Sequence, residues 1–277
     1  MKSKKEWKHL TWDNTQIDRK GVPVHKKLEN KAAIITGSTS DLGADFARKM
    51  AEEGAAVVIS GRNVEAGIRI ADEINQSSGK AIFVRADVSE EADCENLIRI
   101  TLGQFDRLDI LVNNAAHLGR IPFEDLTPET WDQVYAVNVR GAFLCSRSAI
   151  PAMKKQGGGC IINIGSTMVF NSGTLDRLAY ITSKGALLTL TKTMARAFAP
   201  DQIRVNWVTV GWIPTPGEIS LREKDGGLAY LKRKGQEALM GRLETVEETA
   251  AGVVYLASDE ASHVTGCELN ISGGLWI

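Results

Sequence analysis

The sequence predicts a doubly wound α/β fold, a parallel seven-stranded sheet with helices on both faces, in a single domain. Three observations carry that expectation. Short β-branched runs alternate along the chain with stretches of helical period. The first of these runs leads directly into a glycine-bearing turn and a helix-like segment. Finally, the 277 residues suffice to bury a substantial core, and no Pro- or Ser-rich linker divides them.

The opening strand is Ala32–Thr36, followed by TGSTSDLG (Thr36 to Gly43) and the helix-like ADFARKMA. Glycine there lets the backbone approach an anion, and a helix N-terminus offers free N–H groups and positive potential. A second strand at Ala56–Ser60 stands at the distance of a βαβ unit. Further strands are expected at Ala81–Arg85, Asp109–Asn113, Cys160–Ile164, Ile203–Val208 and Cys267–Asn270. Right-handed crossovers would put helices on both faces, with ligands at the carboxyl ends of the strands where the order reverses. TGSTSDLG, NNAA (Asn113 to Ala116), Ser166 and GWIPTP (Gly211 to Pro216) all fall at such ends.

Composition narrows the function. A net charge of −1 gives no reason to expect nucleic acid or an anionic membrane as partner. No apolar run approaches the roughly 18 residues of a membrane span, and MKSKKEWKHL has charge without an apolar signal core, so a cytoplasmic protein is expected. Cys94, Cys145, Cys160 and Cys267 lack CxxC pairing and read as free thiols. His9, His25, His117 and His263 lack metal-ligand spacing, so no catalytic metal is expected.

Tyr180 and Lys184 in AYITSK stand four residues apart within helical periodicity, which puts a phenol and an ammonium on one helix face. A neighbouring cation favours phenolate and moves a Tyr pKa down toward useful proton transfer. The spacing alone equally suits a solvated helix.

With TGSTSDLG, NNAA, Asn138 in YAVNVRGAF, Ser166 in IINIGS, YITSK and GWIPTP in this order, the chain from about Leu28 onward resembles the short-chain dehydrogenase/reductases. The resemblance implies a Rossmann-fold, NAD(P)-dependent oxidoreductase that moves hydride between the nicotinamide and a carbonyl or carbinol carbon of a small molecule. It implies Tyr180 as general acid/base and Ser166 as hydrogen-bond partner of the substrate oxygen. Lys184 would lower the Tyr180 pKa and hold the nicotinamide ribose, and Asn138 would anchor a water linking Lys184 to solvent. Cofactor contacts would come from Gly37, Ser38, Ser40, Asp41, Leu42 and Gly43, and from Ser60, Gly61, Arg62 and Asn63 after the second strand. Asp87, Val88, Asn114, Ala115, Gly211, Ile213 and Thr215 would complete them, with Tyr180 and Lys184. Residues 217–242 would form a substrate lid whose basic residues read as a solvated face, residues 1–27 an N-terminal extension with Trp7 and Trp12 as a docking arm or a basic tail. A homotetramer is expected to bury Leu275, Trp276 and Ile277.

Several positions depart from the family pattern. Asp41 replaces the middle glycine of the phosphate loop and is expected to cap the helix beginning at Leu42, with repulsion of a pyrophosphate as the other reading. Ser166 follows NIG, while Thr167 stands at the usual spacing from Tyr180 and is held in reserve. Val210 replaces a common Pro and is expected to loosen the turn. Gly61, where an NAD-preferring relative has an acid, and Arg62 after it favour NADP(H) over NAD(H), with Asp87 farther out beside the adenine. A catalytically silent dinucleotide-binding regulator, and a lyase or epimerase that retains NAD, stay open as alternatives.

Overall fold

The computed structural model describes residues 26–171 and 174–275, together with two short strands, β1 (Gln16–Ile17) and β2 (Pro23–Val24), that pair antiparallel. The rest of the N-terminal extension, with Trp7 and Trp12, lies outside the described residues, as do Trp276 and Ile277.

All seven expected strands form, as β3 (Ala32–Thr36), β4 (Ala56–Gly61), β5 (Lys80–Arg85), β6 (Ile110–Asn113), β7 (Gly159–Ile164), β8 (Ile203–Val210) and β9 (Glu268–Ile271). They build one parallel sheet in the order β5-β4-β3-β6-β7-β8-β9. The chain winds outward from β3 to β5, then returns to place β6 on the other flank of β3. The carboxyl ends of β3 and β6 therefore open the crevice. Every residue of β3 and of β6 is buried, as expected for strands covered on both faces.

Two apolar layers sandwich the sheet. On one face α1 (Asp41–Glu52), α2 (Val64–Gln76) and α10 (Val246–Ala257) pack Phe46, Met50, Ile70 and Val253 against Ile35, Ile59 and Val112. On the other, α3 (Glu91–Phe105), α5 (Ala142–Lys155) and α7 (Leu178–Phe198) pack Leu97, Leu144 and Met194 against Ile34, Leu111 and Val205. Between α4 (Pro128–Tyr135) and α5 the helix widens into a π-helical stretch, Ala136–Gly141, which contains Asn138. The short α6 (Met168–Asn171) follows β7, and α8 (Pro216–Leu221) and α9 (Gly227–Gln236) make up most of the lid region. Thr245 closes a capping box with Glu248 at the start of α10, which ends the lid.

The sixth strand corrects one expectation. Val210 does not loosen the turn: it pairs with Ile271, so β8 runs through Val210, and its carbonyl accepts from the Thr167 amide at 3.0 Å. Unlike Pro, Val supplies an amide and unrestricted φ to the ladder. Gly211 next along is held by Glu244, whose Oε2 accepts from its N–H at 2.7 Å.

Candidate active site

The phosphate loop is closed tightly on itself. A Cβ at Gly43 would lie 2.4 Å from the Gly37 carbonyl oxygen and 2.5 Å from Asn114 Nδ2, so only glycine lets α1 start this close beneath the loop. Gly37 sits at φ +63, and a Cβ there would lie 2.7 Å from the Ala115 Cα. Asn114 donates from Nδ2 to the carbonyls of Thr36 (2.9 Å) and Gly37 (3.1 Å), and Thr36 Oγ1 accepts from the amides of Asn114 and Ala115, each at 3.1 Å. The NNAA segment thus braces the loop from β6. Ser38 is wholly buried, donating to the Ile35 carbonyl at 2.6 Å and accepting from the Ser60 amide at 3.0 Å, so its side chain ties β3 to β4. Leu42 is half-buried against the core, and Ser40 is the N-cap residue of α1 without a side-chain cap bond.

Asp41 behaves differently from the expectation. The helix begins at Asp41 itself, not at Leu42, and Asp41 occupies the left-handed region at φ 46. Its carboxylate does not cap α1. Oδ1 instead accepts from the Gly217 amide at 3.0 Å, in the first turn of α8, joining the phosphate loop to the lid. A Cβ at Gly217 would stand 3.1 Å from both Asp41 oxygens, so the glycine makes room for the contact.

At the carboxyl end of β4, Ser60 is buried and its hydroxyl has no hydrogen-bond partner among the described residues. Gly61 packs under Thr39, whose Cγ2 would be 2.8 Å from a Cβ there. Asn63 caps α2 by accepting from the Ala66 amide at 3.1 Å. The Arg62 side chain is 74% exposed and lies 3.7 Å from Asp87 Oδ2. Burial pushes the Asp87 pKa up, but two hydrogen bonds from Ser89 and the charges of Arg62 and Arg85 outweigh it and hold the carboxyl below its ordinary value. Val88 is buried against Gly141, where a Cβ would meet its Cγ2 at 2.8 Å.

On the other side of the crevice, Ser166 follows Gly165 at the end of β7. A Cβ on Gly165 would fall 2.0 Å from the indole of Trp207, a fully buried residue of β8, which is why glycine precedes the serine. Ser166 and Thr167 are both buried, but it is Ser166 whose hydroxyl acts on the Tyr180 phenol; it also accepts from the Met168 amide at 3.2 Å. Tyr180 and Lys184 share the buried face of α7.

The electrostatics of that pair reverse an expectation. Burial raises the Tyr180 pKa, opposed by hydrogen bonding from Ser166 and by the charge of Arg177, and Lys184 is not among the groups that lower it. The Lys184 ammonium is directed instead to the Ile164 carbonyl, 2.7 Å away, with Nζ 5.7 Å from the centre of the Tyr180 ring. Enclosure, with no carboxylate partner among the described residues, brings its own pKa down to about 8.

Asn138 is buried with its side chain fully engaged. Oδ1 accepts from the His117 amide at 2.7 Å, and Nδ2 donates to the His117 carbonyl at 3.0 Å and to Ser183 Oγ at 2.9 Å. It ties the segment after NNAA to α7, a structural duty that the expected water-holding role did not include. Ile213 is in the core, and Thr215 caps α8 by accepting from the Glu218 amide at 3.2 Å.

Several contributors were not singled out from sequence. Glu244, buried beneath Gly211, also accepts from Thr249, and burial pushes its pKa up to about 7. Asn113 Nδ2 donates to Asn163 Oδ1 at 2.8 Å and Asn163 Nδ2 to Thr191 Oγ1 at 2.8 Å, a buried polar chain that fixes α7 against β6 and β7. Polar residues in otherwise apolar strands are the signal that would have found Asn163. The lid's Arg222 is also not a solvated charge. It is only 11% exposed, bonded to Glu218 at 2.9 Å and lying over the rings of Trp212 and Tyr230.

The residues present fit a dinucleotide: a glycine cradle that a Cβ would fill, the unpartnered Ser60 hydroxyl at the next strand end, and a buried ammonium beside the Tyr180 ring. Relatives agree. The family model described as enoyl-(acyl carrier protein) reductase matches residues 37–276. The chain is 37% identical over 248 residues to a cyclopentanol dehydrogenase of Comamonas sp. (strain NCIMB 9872), covering 90% of this chain and 98% of that protein. It is 36% identical to a 2,5-dichloro-2,5-cyclohexadiene-1,4-diol dehydrogenase of Sphingobium indicum (strain DSM 16412 / CCM 7286 / MTCC 6364 / B90A), covering 90% and 97%. A crystal structure described as a short-chain alcohol dehydrogenase from Sinorhizobium meliloti 1021 superposes with a TM-score of 0.84 at 28% identity, covering 91% of this chain and 98% of that one. The chain belongs to the short-chain dehydrogenase/reductase family, as an oxidoreductase dependent on a nicotinamide cofactor.

Proposed function

We propose that the protein interconverts a secondary alcohol and its ketone, with Tyr180 as the general acid/base and NADP(H) as the favoured cofactor. The observation that carries the reading is the convergence of a buried phenol, the Ser166 hydroxyl acting on it and the buried Lys184 ammonium at the carboxyl end of β7. When bound, the cofactor supplies or accepts the hydride.

The chain's own residues handle the proton. With its pKa raised by burial, Tyr180 is a neutral phenol at pH 7, the form that gives a proton to a carbonyl oxygen. In the oxidative direction the same oxygen must accept one. Ser166 would hold the substrate oxygen beside Tyr180, and Lys184, now spending a donor on the Ile164 carbonyl, has others to offer a ribose hydroxyl. Asn138 would set the position of α7 through Ser183. Gly37, Gly43, Asn114 and Ala115 would shape the pyrophosphate cradle, Asp87 and Val88 the adenine side, and Gly211, Ile213 and Thr215 the carboxamide side. Arg62, exposed and free to swing, would meet a 2′-phosphate.

Among the relatives, cyclopentanol and a chlorinated cyclohexadienediol are substrates by name, which supports an alcohol as substrate here. Tyr180→Phe keeps the ring and removes the proton. Turnover of a secondary alcohol, followed through nicotinamide absorbance, should fall by about 10²–10⁴-fold with cofactor affinity nearly intact. Retention of more than about a tenth of wild-type turnover in a chemistry-limited step would remove Tyr180 from the role.

A further inference from the structure

The cleft wall beside Tyr180 carries a cation that this chemistry does not use. Arg177 stands three residues ahead of Tyr180, just before α7, and its Nη1 reaches the Met168 sulfur at 3.8 Å. The Met168 amide in turn donates to Ser166 Oγ. The guanidinium thus lies against Met168, two residues after Ser166, near enough to Tyr180 for its charge to favour the phenolate.

Arg120 and Arg222 both act electrostatically on Arg177, and each of those two is itself neutralised by an acid. Arg120 pairs with Asp176 at 3.1 Å, and Arg222 with Glu218 at 2.9 Å and Asp225 at 3.6 Å. Arg177 has no ion pair among the described residues, and its side chain's one hydrogen bond there goes to a thioether, a weak acceptor. Glu218 acts on it from the lid, but Glu218 Oε1 is already taken by Trp212 Nε1 at 2.8 Å and by Arg222 Nε. Burial is the largest influence on Arg177 and pulls its pKa below the usual arginine value. Asp176 also feels its charge, yet no carboxylate among the described residues touches it; a partly desolvated guanidinium served only at longer range is costly, and a bound anion in direct contact relieves that cost.

We propose that Arg177 binds substrate, and that the substrate is an anion: a hydroxy acid, or the matching keto acid, whose carboxylate pairs with the guanidinium while its carbinol or carbonyl carbon lies at Tyr180. A carboxylate matches the planar donor fork of arginine, and Arg120 and Arg222 are withheld from it by their own acids. The assignment rests on the Tyr180 reading for where the reacting carbon sits, whereas anion capture by Arg177 is independent of it.

The test compares 3-hydroxycyclopentane-1-carboxylate with its methyl ester, in the unmutated enzyme and in Arg177→Gln and Arg177→Lys. Calorimetry of unreactive cyclopentanecarboxylate, with cyclopentanecarboxamide as control, is run on the cofactor-loaded protein. The unmutated enzyme should prefer acid to ester in kcat/KM by at least about tenfold. Arg177→Gln should cut that preference by about 10- to 150-fold, the range of a lost charge-assisted hydrogen bond, and Arg177→Lys should restore part of it. Calorimetry should register the carboxylate and not the carboxamide, and Arg177→Gln should abolish the difference. Equal use of acid and ester overturns the proposal. So does an equal loss on both in Arg177→Gln, which would mean that the guanidinium serves only the phenol. If neither compound is turned over, calorimetry decides, and no carboxylate binding overturns it. Failure of the Tyr180 reading looks different: Tyr180→Phe keeps its turnover while carboxylate binding still depends on Arg177.

Discussion

The two ends of the cofactor crevice are built on opposite terms. At the end proposed for the reaction, Ser166, Tyr180 and Lys184 are all buried, and Asn138 behind them has every side-chain donor and acceptor engaged. At the end proposed for the adenosine, Arg62 is 74% exposed and meets Asp87 only at 3.7 Å. The first arrangement is fixed by the fold before any ligand arrives, and its energetic cost is met within the folded chain. The second is a pair of screened charges whose geometry a ligand can reset, since exposed ion pairs contribute at most about 1 kcal/mol. On the proposed assignment, chemistry is the more deeply built property of this molecule, and cofactor choice the more easily altered one.

The largest expected effect tests the buried end. Lys184→Met should lower turnover by at least about 10²-fold, the lower bound for losing an acid–base contribution. The same change should stabilise the cofactor-free protein at neutral pH, because it removes a buried cation that has no carboxylate partner. The pH dependence fixes the sign. Lys184 has a folded-state pKa of about 8 against 10.5 unfolded, so between those values the unfolded chain binds more protons and stability rises with pH. Below pH 8 the protonated, enclosed ammonium carries its full cost. Thermal melts from pH 7 to 10 should show this rise in the unmutated protein and a flatter profile, with a higher Tm at pH 7, in Lys184→Met. A variant that melts lower at pH 7 would mean that the bond to the Ile164 carbonyl outweighs the desolvation.

A smaller effect is expected at the open end. Arg62→Ala should weaken NADP(H) binding by roughly 10-fold or more, within the 10- to 150-fold span of a charge-assisted contact, and leave NAD(H) little changed. The lower part of that span is favoured because Asp87, held ionised by Ser89 and its two arginine neighbours, opposes a phosphate in the same place. Titration of both cofactors into both proteins measures it. Equal affinity of the unmutated protein for NAD(H) and NADP(H) would reject the NADP(H) preference.

What the sequence disclosed follows the same division. The inner strands were legible because strands covered on both faces must be continuous apolar runs, and Ala32–Thr36 and Ile110–Asn113 are that. That Ser166 ends β7 and that Tyr180 and Lys184 share one face of α7 was legible because spacing along a regular element converts into position. Contacts that cross the fold were not. That Lys184 turns toward the Ile164 carbonyl and not toward the Tyr180 hydroxyl depends on the packing of α7 against β7. That Glu244 holds Gly211 depends on where a lid of irregular length comes back to the sheet. Arg222 read as solvated because its partners Trp212 and Tyr230 meet it only once α8 and α9 have folded together.

Asp41 joins the loop after β3 to α8 and carries the smallest predicted effect. As a non-glycine residue in the left-handed region it bears backbone strain, though Asp tolerates that region better than most. Asp41→Gly would relieve the strain, remove an acid from the first turn of α1 and break the bond to the Gly217 amide. Relief favours the variant by about 1 kcal/mol, while the lost dipole interaction and lost hydrogen bond together cost about as much, so global stability should move by less than about 1 kcal/mol. The effect should appear locally. The Gly217 amide and the first turn of α8 should exchange hydrogen faster, because their tie to the phosphate loop is gone, while amides of β3 and β6 should be unchanged. Cofactor affinity should change by less than tenfold, since the carboxylate is already turned toward the lid. A tenfold or greater gain in affinity, with Gly217 exchange unaltered, would mean that Asp41 faces the pyrophosphate after all and that the contact with the lid is incidental.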